Sequence, residues 1–373
     1  MKVIDSGLVF DTGSAPPDQR ACFFTTMLRL SSGKILVGFR RGSTKYSADG
    51  NCCVTESSDD GHSWDVICDR FDDRFDGTTG EVRSVTLAEA HDGVVLACLA
   101  RADRSKGDEY YSAESDTVCP TKILMTRSSD GGRTWNSYTL LDVGPGQCPV
   151  LSGPAVPIGS ARWLITHERQ ESEMDGGPSV HRASATLVGD DGRAEKVVPV
   201  ARDPKDRLFY YDQRQAYCPR TNRLIAAYWT YDREAEKDID IHLAHGDPAA
   251  LEWEKPVGTG IAGQIAQPIP LPDGRLLLFY VHREMPCGMR LILSEDSGKT
   301  WETSSELVVY EKGEARERDA QEGGDYASMW VDMGKWSFGH PAGVVLDDGT
   351  VLLAYYAGPD ETRLSIHWAR VKL

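Results

Sequence analysis

An eight-residue pattern that occurs three times constrains the fold of this 373-residue chain most strongly. It reads Ser-x-Asp-x-Gly-x-Ser/Thr-Trp, and its copies begin at Ser57, Ser128 and Ser294. In such a turn the Asp side chain can accept hydrogen bonds from backbone N–H groups, and Gly supplies a positive φ. The Trp can then fold back as an apolar plug between neighbouring sheets. Each copy follows a short apolar strand, so the pattern predicts a β protein built from repeated units.

A second repeat divides the chain more evenly. It is a turn followed by a short apolar strand, and another apolar strand precedes the turn, which indicates a β-hairpin. The six turns lie at Gly33, Gly93, Ala161, Asn222, Gly274 and Gly349. Hairpins that recur at this spacing predict a six-bladed β-propeller, and a repeat architecture explains how a chain of this length can form one domain.

These repeats resemble the Asp-box, or BNR, repeat of the sialidase superfamily, and the resemblance covers essentially the whole chain. It implies that residues 1–373 form a single all-β domain, a six-bladed propeller with four antiparallel strands per blade. It also implies that the Asp-box residues are scaffold on the face away from the substrate. The first strand, Val3–Phe10, has no hairpin partner in its own repeat. We therefore expect it to join the last blade and close the ring, which would remove an exposed sheet edge.

Arginines gather where the second strand of each predicted blade ends. Five of the six repeats place one there, namely Arg40, Arg101, Arg169, Arg233 and Arg283. Converging guanidinium groups favour an anionic ligand, because they pair bidentately with carboxylates and stay charged. Sialidase-like enzymes hold the carboxylate of sialic acid with three arginines. The resemblance implies Arg40, Arg233 and Arg283 for this role, with Arg101 and Arg169 in reserve, whereas the alternative is a row of strand ends in solvent.

The resemblance also implies positions for the catalytic groups. Asp49 lies in the kind of loop that holds the family's acid/base aspartate, although a plain Asp-Gly turn is the alternative. The family's tyrosine nucleophile is expected in the first strand of the last blade, where this chain has His340 within Phe338–Ala342 and no tyrosine. Candidate substitutes for the nucleophile are Tyr231, Tyr326, Tyr355 and Tyr356. Asp212 is the candidate for the glutamate that activates it.

Three functions remain open at this point. The first is a retaining exo-glycosidase that hydrolyses a terminal acidic sugar, a sialic or related nonulosonic acid, with Asp49 as acid/base. The second is a polysaccharide lyase acting on uronic-acid glycans, in which His340 and a nearby tyrosine remove the proton α to a carboxylate. The third is a non-catalytic propeller that binds a glycan or a protein, which the arginines disfavour. A glycan or acidic sugar is therefore the expected partner.

Composition narrows the partners further. The formal net charge of −16 argues against binding to nucleic acid or to anionic membranes, and no apolar run is long enough to span a bilayer. The chain has no P-loop, dinucleotide glycine motif, HExxH motif or Cys/His metal cluster, so we expect an enzyme without metal or cofactor, and a structural calcium in the acidic loops is the alternative. The start, MKVIDSGLVF, lacks signal-peptide features, and the nine cysteines are odd in number. A cytoplasmic protein with reduced thiols is expected, and a secreted mature form is the alternative.

Overall fold

The computed structural model describes residues 1–112, 117–144, 149–159, 161–171, 180–312 and 332–373. Strands dominate these residues, so the all-β prediction is confirmed, and the sheets have a propeller-like arrangement. Short 3-10 turns occur at Pro17–Gln19, His91–Gly93 and Thr303–Ser305, and residues 332–335 form one helical turn. Within the described ranges, no helix has the length and apolar character that crossing a membrane would require.

The strands follow one another as successive antiparallel hairpins. The chain begins with β1 (Lys2–Phe10), β2 (Ala21–Arg29), β3 (Ile35–Gly42), β4 (Asn51–Ser57) and β5 (Asp65–Cys68). It continues with β6 (Gly80–Glu89), β7 (Val95–Asp103), β8 (Tyr111–Ser112), β9 (Thr117–Val118), β10 (Thr121–Ser128) and β11 (Thr139–Leu140). Strands β6, β7, β10 and β11 form a four-stranded sheet, and β8 pairs with β9 as a separate hairpin.

Three further sheets follow. The first contains β12 (Val150–Leu151), β13 (Val156–Pro157), β14 (Arg162–Glu171), β15 (Val180–Gly189) and β16 (Ala194–Ala201). The second contains β17 (Leu208–Cys218), β18 (Arg223–Asp232), β19 (Lys237–Asp238), β20 (Asp240–Asp247), β21 (Glu252–Trp253) and β22 (Val257–Ala262). The third contains β23 (Ala266–Pro270), β24 (Leu276–His282), β25 (Gly288–Ser294) and β26 (Leu307–Glu311).

An eight-stranded sheet joins the two ends of the chain. Its last strands are β27 (Phe338–Val345), β28 (Val351–Asp360) and β29 (Arg363–Lys372). Strand β1 pairs antiparallel with β29, from Lys2 opposite Lys372 to Phe10 opposite Ile366. A single parallel bridge between Ala21 and Leu364 connects β29 to β2 and its partners β3 to β5.

The apolar core lies between neighbouring sheets. Strand β3, for example, is buried along its whole length, and its Leu36 belongs to one cluster with Val85 and Leu99 of the next sheet. Because both faces of such a sheet pack against neighbours, its central strands are continuous apolar runs rather than alternating ones. The first strand of each of these sheets contacts the first strand of its neighbour in the order β6, β2, β27, β23 and β17, which is the arrangement expected around the centre of a propeller.

The three repeated turns have the same hydrogen bonds. In the first, the Ser57 hydroxyl oxygen accepts from the Gly61 N–H at 2.8 Å, and Asp59 accepts from the Ser63 N–H and hydroxyl at 2.9 and 2.6 Å. These bonds lower the pKa of Asp59 to about 2. The turns that begin at Ser128 and Ser294 repeat this set. The turns are therefore fixed locally by their own sequence.

The tryptophans of these turns are half-buried and pack against the apolar clusters between sheets, whereas the sequence predicted that they are buried there. Trp64, Trp135 and Trp301 all keep part of their surface exposed. The turn glycines make the closer contact with the neighbouring strands. A Cβ on Gly61, which has φ +94°, would lie 2.7 Å from the side chain of Leu352 in β28. Glycine therefore serves both the backbone conformation and the close packing of the turn.

Candidate functional site

Four of the first strands carry a β-bulge near their start. The bulges in β2, β6, β17 and β27 lie beside Phe24, Arg83, Asp212 and His340. Phe24, Asp212 and His340 have φ values of 58°, 43° and 50°. Residues other than glycine rarely adopt this conformation, and it is enriched where a side chain must be aimed at a functional site.

The four side chains converge at one end of the centre. The ring of Phe24 lies 4.8 Å from that of His340, and the Arg83 guanidinium lies 5.4 Å from the Phe24 ring. His340 Nε2 is 3.8 Å from a carboxylate oxygen of Asp212. These positions form the candidate active site.

The Asp-box turns lie at the other end of the sheets. In the first hairpin, Phe23, next to the bulge, pairs with Arg40 at the end of β3. Ser57, the first residue of the turn, pairs with Ile35 at the start of β3. The length of β3 therefore separates Asp59 from the candidate site, which supports a structural role for the Asp boxes.

Arg214 fixes the tautomer of His340. Its Nη2 donates to His340 Nδ1 at 2.9 Å and its Nη1 donates to the Pro341 carbonyl at 2.7 Å. A guanidinium can only donate, so Nδ1 is the acceptor and a neutral His340 carries its proton on Nε2. Burial lowers the pKa of His340 well below its ordinary value, and the charges of Arg214, Lys45 and Arg283 lower it further. His340 is therefore a neutral hydrogen-bond donor at pH 7.

Two carboxyl groups meet beside His340. Burial raises the pKa of Glu168, and the nearby Asp212 raises it further, although the Gln213 N–H donates to Glu168 at 2.7 Å. Burial also raises the pKa of Asp212, against the opposing charges of Arg214 and Lys45. Such a pair retains a proton where isolated carboxyls are ionised. The Asp212 side chain is 19% exposed and that of Glu168 is 8% exposed, so Asp212 is the more accessible of the two.

Lys45 lies across from this pair among aromatic rings. Its Nζ donates to the Met333 carbonyl at 3.1 Å and lies 5.3 Å from the ring of Trp336. The rings of Phe24 and Tyr46 are each 5.8 Å from it. Burial, and then the positive charges of neighbouring arginines, lower the pKa of Lys45 to about 7. Its charge therefore depends on pH and on what the site binds.

Arg283 lies between two rings on the same side of the site. Its guanidinium is 4.1 Å from the ring of Trp336 and 4.2 Å from that of Phe338. Its Nη2 donates to the Phe338 carbonyl at 2.8 Å, and its Nε donates to Gln264 at 3.2 Å. These contacts hold a largely buried guanidinium in one orientation. Among the neighbouring charges, that of Arg283 lowers the pKa of Lys45 most, and the charge of Arg83 lowers it further.

Arg40, predicted to bind the substrate, lies beneath the site instead. It is fully buried and donates to Glu81 at 2.8 Å and to the carbonyls of Thr44 and Ser47, each at 2.7 Å. Glu81 also pairs with Arg83 at 3.0 Å. The contacts of Arg40 thus position the loop that carries Lys45, and we attribute this structural role to it.

Asp49 belongs to the turn of the same loop. The Ser43 N–H and hydroxyl donate to it at 3.1 and 2.6 Å, and Ser47 donates a further bond. Partial burial raises the pKa of Asp49, but these hydrogen bonds outweigh burial and the net pKa lies below its ordinary value. A proton donor working near neutral pH needs the opposite shift, so the local environment favours the Asp-Gly turn interpretation.

Two other predicted arginines also contact their own loops. Arg101 donates to the carbonyls of Asp73 and Thr78 at 3.0 and 2.7 Å. Arg233 is half-buried, lies 4.7 Å from the ring of Phe209 and donates weakly to a neighbouring carbonyl. Among the predicted arginines, Arg283 is placed near His340, because its charge lowers the pKa of that residue and its guanidinium lies against Phe338 in the same strand.

Three of the four predicted tyrosines are buried in the core, and the fourth lies outside the described residues. Tyr231 and Tyr355 are buried in one apolar cluster. Tyr356 is fully buried behind His340, with its ring 5.8 Å from the imidazole. Tyr326 and the side chain of Arg169 lie outside the described residues. Tyr231, Tyr355 and Tyr356, the three predicted tyrosines that the structure describes, are therefore all buried.

Several residues of the site were missed in the sequence. They are Phe24, Lys45, Arg83, Glu168, Arg214 and Trp336. The predicted residues lie at the ends of the second strands, whereas the bulges of the first strands carry much of the site. Arginines inside the apolar first strands β6 and β17 were an available signal, because a charge in such a run needs a partner. In the part of the chain that the structure describes, no three His, Cys, Asp or Glu side chains are placed to share a metal ion.

No protein-family model and no curated protein sequence matches this chain. Solved structures do match it. A protein of unknown function from Dyadobacter fermentans superposes with a TM-score of 0.73 and 17% identity over 99% of this chain and 98% of that one. The match extends over essentially the whole of both chains, so the two share a fold.

Two glycan-active proteins have the same architecture. An α-L-arabinanase from Penicillium chrysogenum, solved with arabinobiose, matches with a TM-score of 0.65 and 13% identity over 100% of this chain and 99% of that one. An intramolecular trans-sialidase from Ruminococcus gnavus, solved with oseltamivir carboxylate, matches with a TM-score of 0.65 and 12% identity over 100% and 98%. At these identities the likeness shows a shared propeller fold alone, and the two solved structures hold different ligands.

Proposed function

We propose that this chain is a glycoside hydrolase that releases a terminal acidic sugar, a sialic or related nonulosonic acid, with Asp212 as the proton donor. One observation carries the proposal: the Asp212–Glu168 pair, with raised pKa values, faces the same space as the cationic Lys45 and Arg283. A carboxyl with a raised pKa beside a cluster of cations suits general acid catalysis on an acidic sugar.

The proposal includes a single six-bladed propeller domain over residues 1–373. In this interpretation the eight-stranded sheet comprises two blades, β2 to β5 and β27 to β29 with β1, and the other four sheets are one blade each. The pairing of β1 with β29 supports closure of the ring by the N-terminal strand. The packing of the first strands around one centre supports a shared site at its end.

Asp212 is assigned the proton transfers. Its protonated carboxyl donates to the glycosidic oxygen as the bond from that oxygen to the anomeric carbon breaks, and the bonding electron pair leaves with the oxygen. The carboxylate then accepts a proton from the water molecule that attacks the anomeric carbon. Burial raises the pKa of Asp212, and the pKa of the more deeply buried Glu168 is raised to about 8, so the pair retains a proton near neutral pH that Asp212, the more accessible of the two, can donate.

The carboxylate of the sugar is bound in this proposal by three cationic residues, Lys45, Arg83 and Arg283. Arg283 presents a fixed guanidinium, and Lys45 presents an ammonium whose charge is destabilised by its neighbours. A bound carboxylate would relieve this repulsion, so these groups favour an acidic sugar over a neutral one. Arg283 was predicted for this role, whereas Asp49, Arg40 and Arg101 are reassigned to the loops that they hold together.

The tautomer of His340 favours hydrolysis over β-elimination. A lyase needs an unprotonated nitrogen to remove the proton α to the carboxylate. Nδ1 is occupied by the Arg214 hydrogen bond, and Nε2 then carries the proton. A neutral imidazole in this state can donate to a substrate oxygen but does not accept a proton at Nε2.

A product assay tests the proposal. The protein is incubated with 3′-sialyllactose and, separately, with a uronate-containing polysaccharide such as alginate. We expect free sialic acid from the first and no ultraviolet absorbance from an unsaturated uronate in the second. Unsaturated product would support the lyase instead. Saturable binding of either glycan without turnover would support a binding propeller.

A further inference from the structure

A cavity of about 430 Å³ adjoins the candidate site, between the sheet of β20 and the sheet of β24. Its polar lining residues are Lys237, Asp238, Asp240, Gln264, Arg283 and Glu284. None of these residues except Arg283 has a role in the reaction proposed above. The volume is in the range of pockets that hold small organic ligands.

A hydrogen-bonded chain connects this cavity with the centre. Gln264 is buried and donates from Nε2 to Asp238 at 2.8 Å. Its oxygen accepts from Arg283 Nε at 3.2 Å. Arg283 in turn lies against Trp336 at the centre. A ligand whose carboxylate meets Arg283 can therefore continue directly into the cavity.

The lining favours a neutral partner that is rich in hydroxyl groups. Asp238, Asp240 and Glu284 outnumber the cations Lys237 and Arg283, so an additional anionic group is disfavoured in the cavity. Carboxylates are strong acceptors for sugar hydroxyl groups.

The cavity wall also has small and apolar surfaces that suit a sugar ring. Ile239 and Ala262 can contact the C–H face of the ring. At Gly260, a Cβ would meet nothing within 4 Å, so the wall is open at this position. The wall therefore combines hydroxyl acceptors with room for a ring.

From this geometry we propose that the cavity is a subsite for a neutral sugar, the residue to which the terminal acidic sugar is attached. The inference rests on the proposed function and deepens it: the substrate is an acidic sugar linked to a neutral one, and the neutral residue is recognised by Asp238, Asp240 and Glu284. The subsite would then distinguish glycans from small activated substrates.

An Ala262→Trp variant tests the subsite, because the Ala262 side chain is exposed into the cavity and an indole would fill it. The measured quantity is the ratio of kcat/KM for 3′-sialyllactose to kcat/KM for α-sialyl fluoride, whose leaving group is a single atom. We expect the ratio to fall about tenfold or more in Ala262→Trp. Ala250→Trp, on an exposed turn at the far end of the same sheet, is the matched control and should keep the parental ratio. An unchanged ratio in Ala262→Trp would overturn the subsite.

A binding measurement keeps the two proposals separable. Saturation-transfer NMR with lactose alone should show binding to the parent and to Ala250→Trp, and its loss in Ala262→Trp. Absence of lactose binding to the parent would overturn the subsite whether or not the protein hydrolyses sialosides. Lactose binding with this variant pattern, in a protein that releases no sialic acid, would retain the subsite and reject the proposed hydrolysis.

Discussion

At the scale of single residues, the site depends on groups whose charge is set by their neighbours. Lys45 is close to half-protonated at neutral pH, Asp212 and Glu168 retain a proton, and His340 stays neutral. The sequence indicated an acidic ligand through Arg283, and it offered Asp212 and His340 as candidate catalytic residues. They could not indicate protonation states, because those depend on burial and on charges distant in sequence.

The pKa of Lys45 predicts a pH-dependent affinity. Its pKa is lowered to about 7, so the ammonium is charged below that pH and loses its proton above it. We expect KM for an acidic glycoside to rise as pH increases through this value. We expect Lys45→Met to have a high KM both below and above this pH. Lys45→Arg should bind equally above and below it, because guanidinium stays charged. A parental KM that does not change with pH would contradict the role of Lys45.

Arg283→Lys should weaken binding although it keeps the charge. A lysine cannot lie flat between Trp336 and Phe338 while also making a two-pronged contact to a carboxylate. We expect KM to rise about tenfold or more, measured on an acidic aryl glycoside. Arg233→Lys, at a half-buried position against Phe209, is the control and should behave like the parent. Equal KM values for Arg283→Lys and Arg233→Lys would contradict the binding of the sugar carboxylate by Arg283.

At the scale of elements, turns were predictable and bulges were not. Asp59 and Ser63 bond within one turn, so the residues that determine it are consecutive in the sequence. The bulges beside Phe24 and His340 have no comparable local motif, because their geometry is fixed by the first strands packed around them. The repeated turns could therefore be predicted from the sequence. The arginine site was predicted at the ends of the second strands, whereas much of the observed cluster lies at the bulges of the neighbouring first strands.

Trp135→Ala tests the structural role of the Asp-box turns. Its ring lies 5.2 Å from that of Phe71 and packs on the cluster between two sheets. Because it is half-buried, we expect a loss of about 2–4 kcal/mol in the free energy of unfolding, towards the lower end for buried aromatics. Denaturant unfolding measures this loss, and kcat of the folded variant should be unchanged. A large fall in kcat at unchanged stability would place the turn near the chemistry.

At the scale of the whole molecule, the ends of the chain meet in one sheet. Val9 is buried against the strands that close this sheet, and the ring of Phe10 lies 5.3 Å from that of Phe39 in β3. The N-terminal strand thus contributes to both the last and the first hairpins. This arrangement follows from the unpaired first strand in the sequence, since an edge without a partner is costly to leave exposed.

Removal of residues 1–10 should therefore destabilise the entire molecule. Loss of the buried Val9 and partly buried Phe10 side chains alone should cost about 3 kcal/mol or more. Calorimetry should show one transition at a lower temperature than in the parent. Leu8→Ala, at an exposed position of the same strand, is the control and should melt near the parental temperature. Two separate transitions in the parent would contradict a single domain.

The most direct measurement of the central claim compares Asp212→Asn with Asp49→Asn on two substrates. Asparagine tolerates the positive φ at position 212, and at position 49 it keeps one oxygen that can accept from Ser43 or Ser47, so we expect both variants to fold. We predict that Asp212→Asn slows 3′-sialyllactose hydrolysis about 10²–10⁴-fold and an activated aryl sialoside much less, because a nitrophenolate departs without a proton. Asp49→Asn should retain most of its activity on both. Normal turnover by Asp212→Asn, with selective loss of sialyllactose hydrolysis in Asp49→Asn, would contradict the account and return the proton donor to the loop at Asp49.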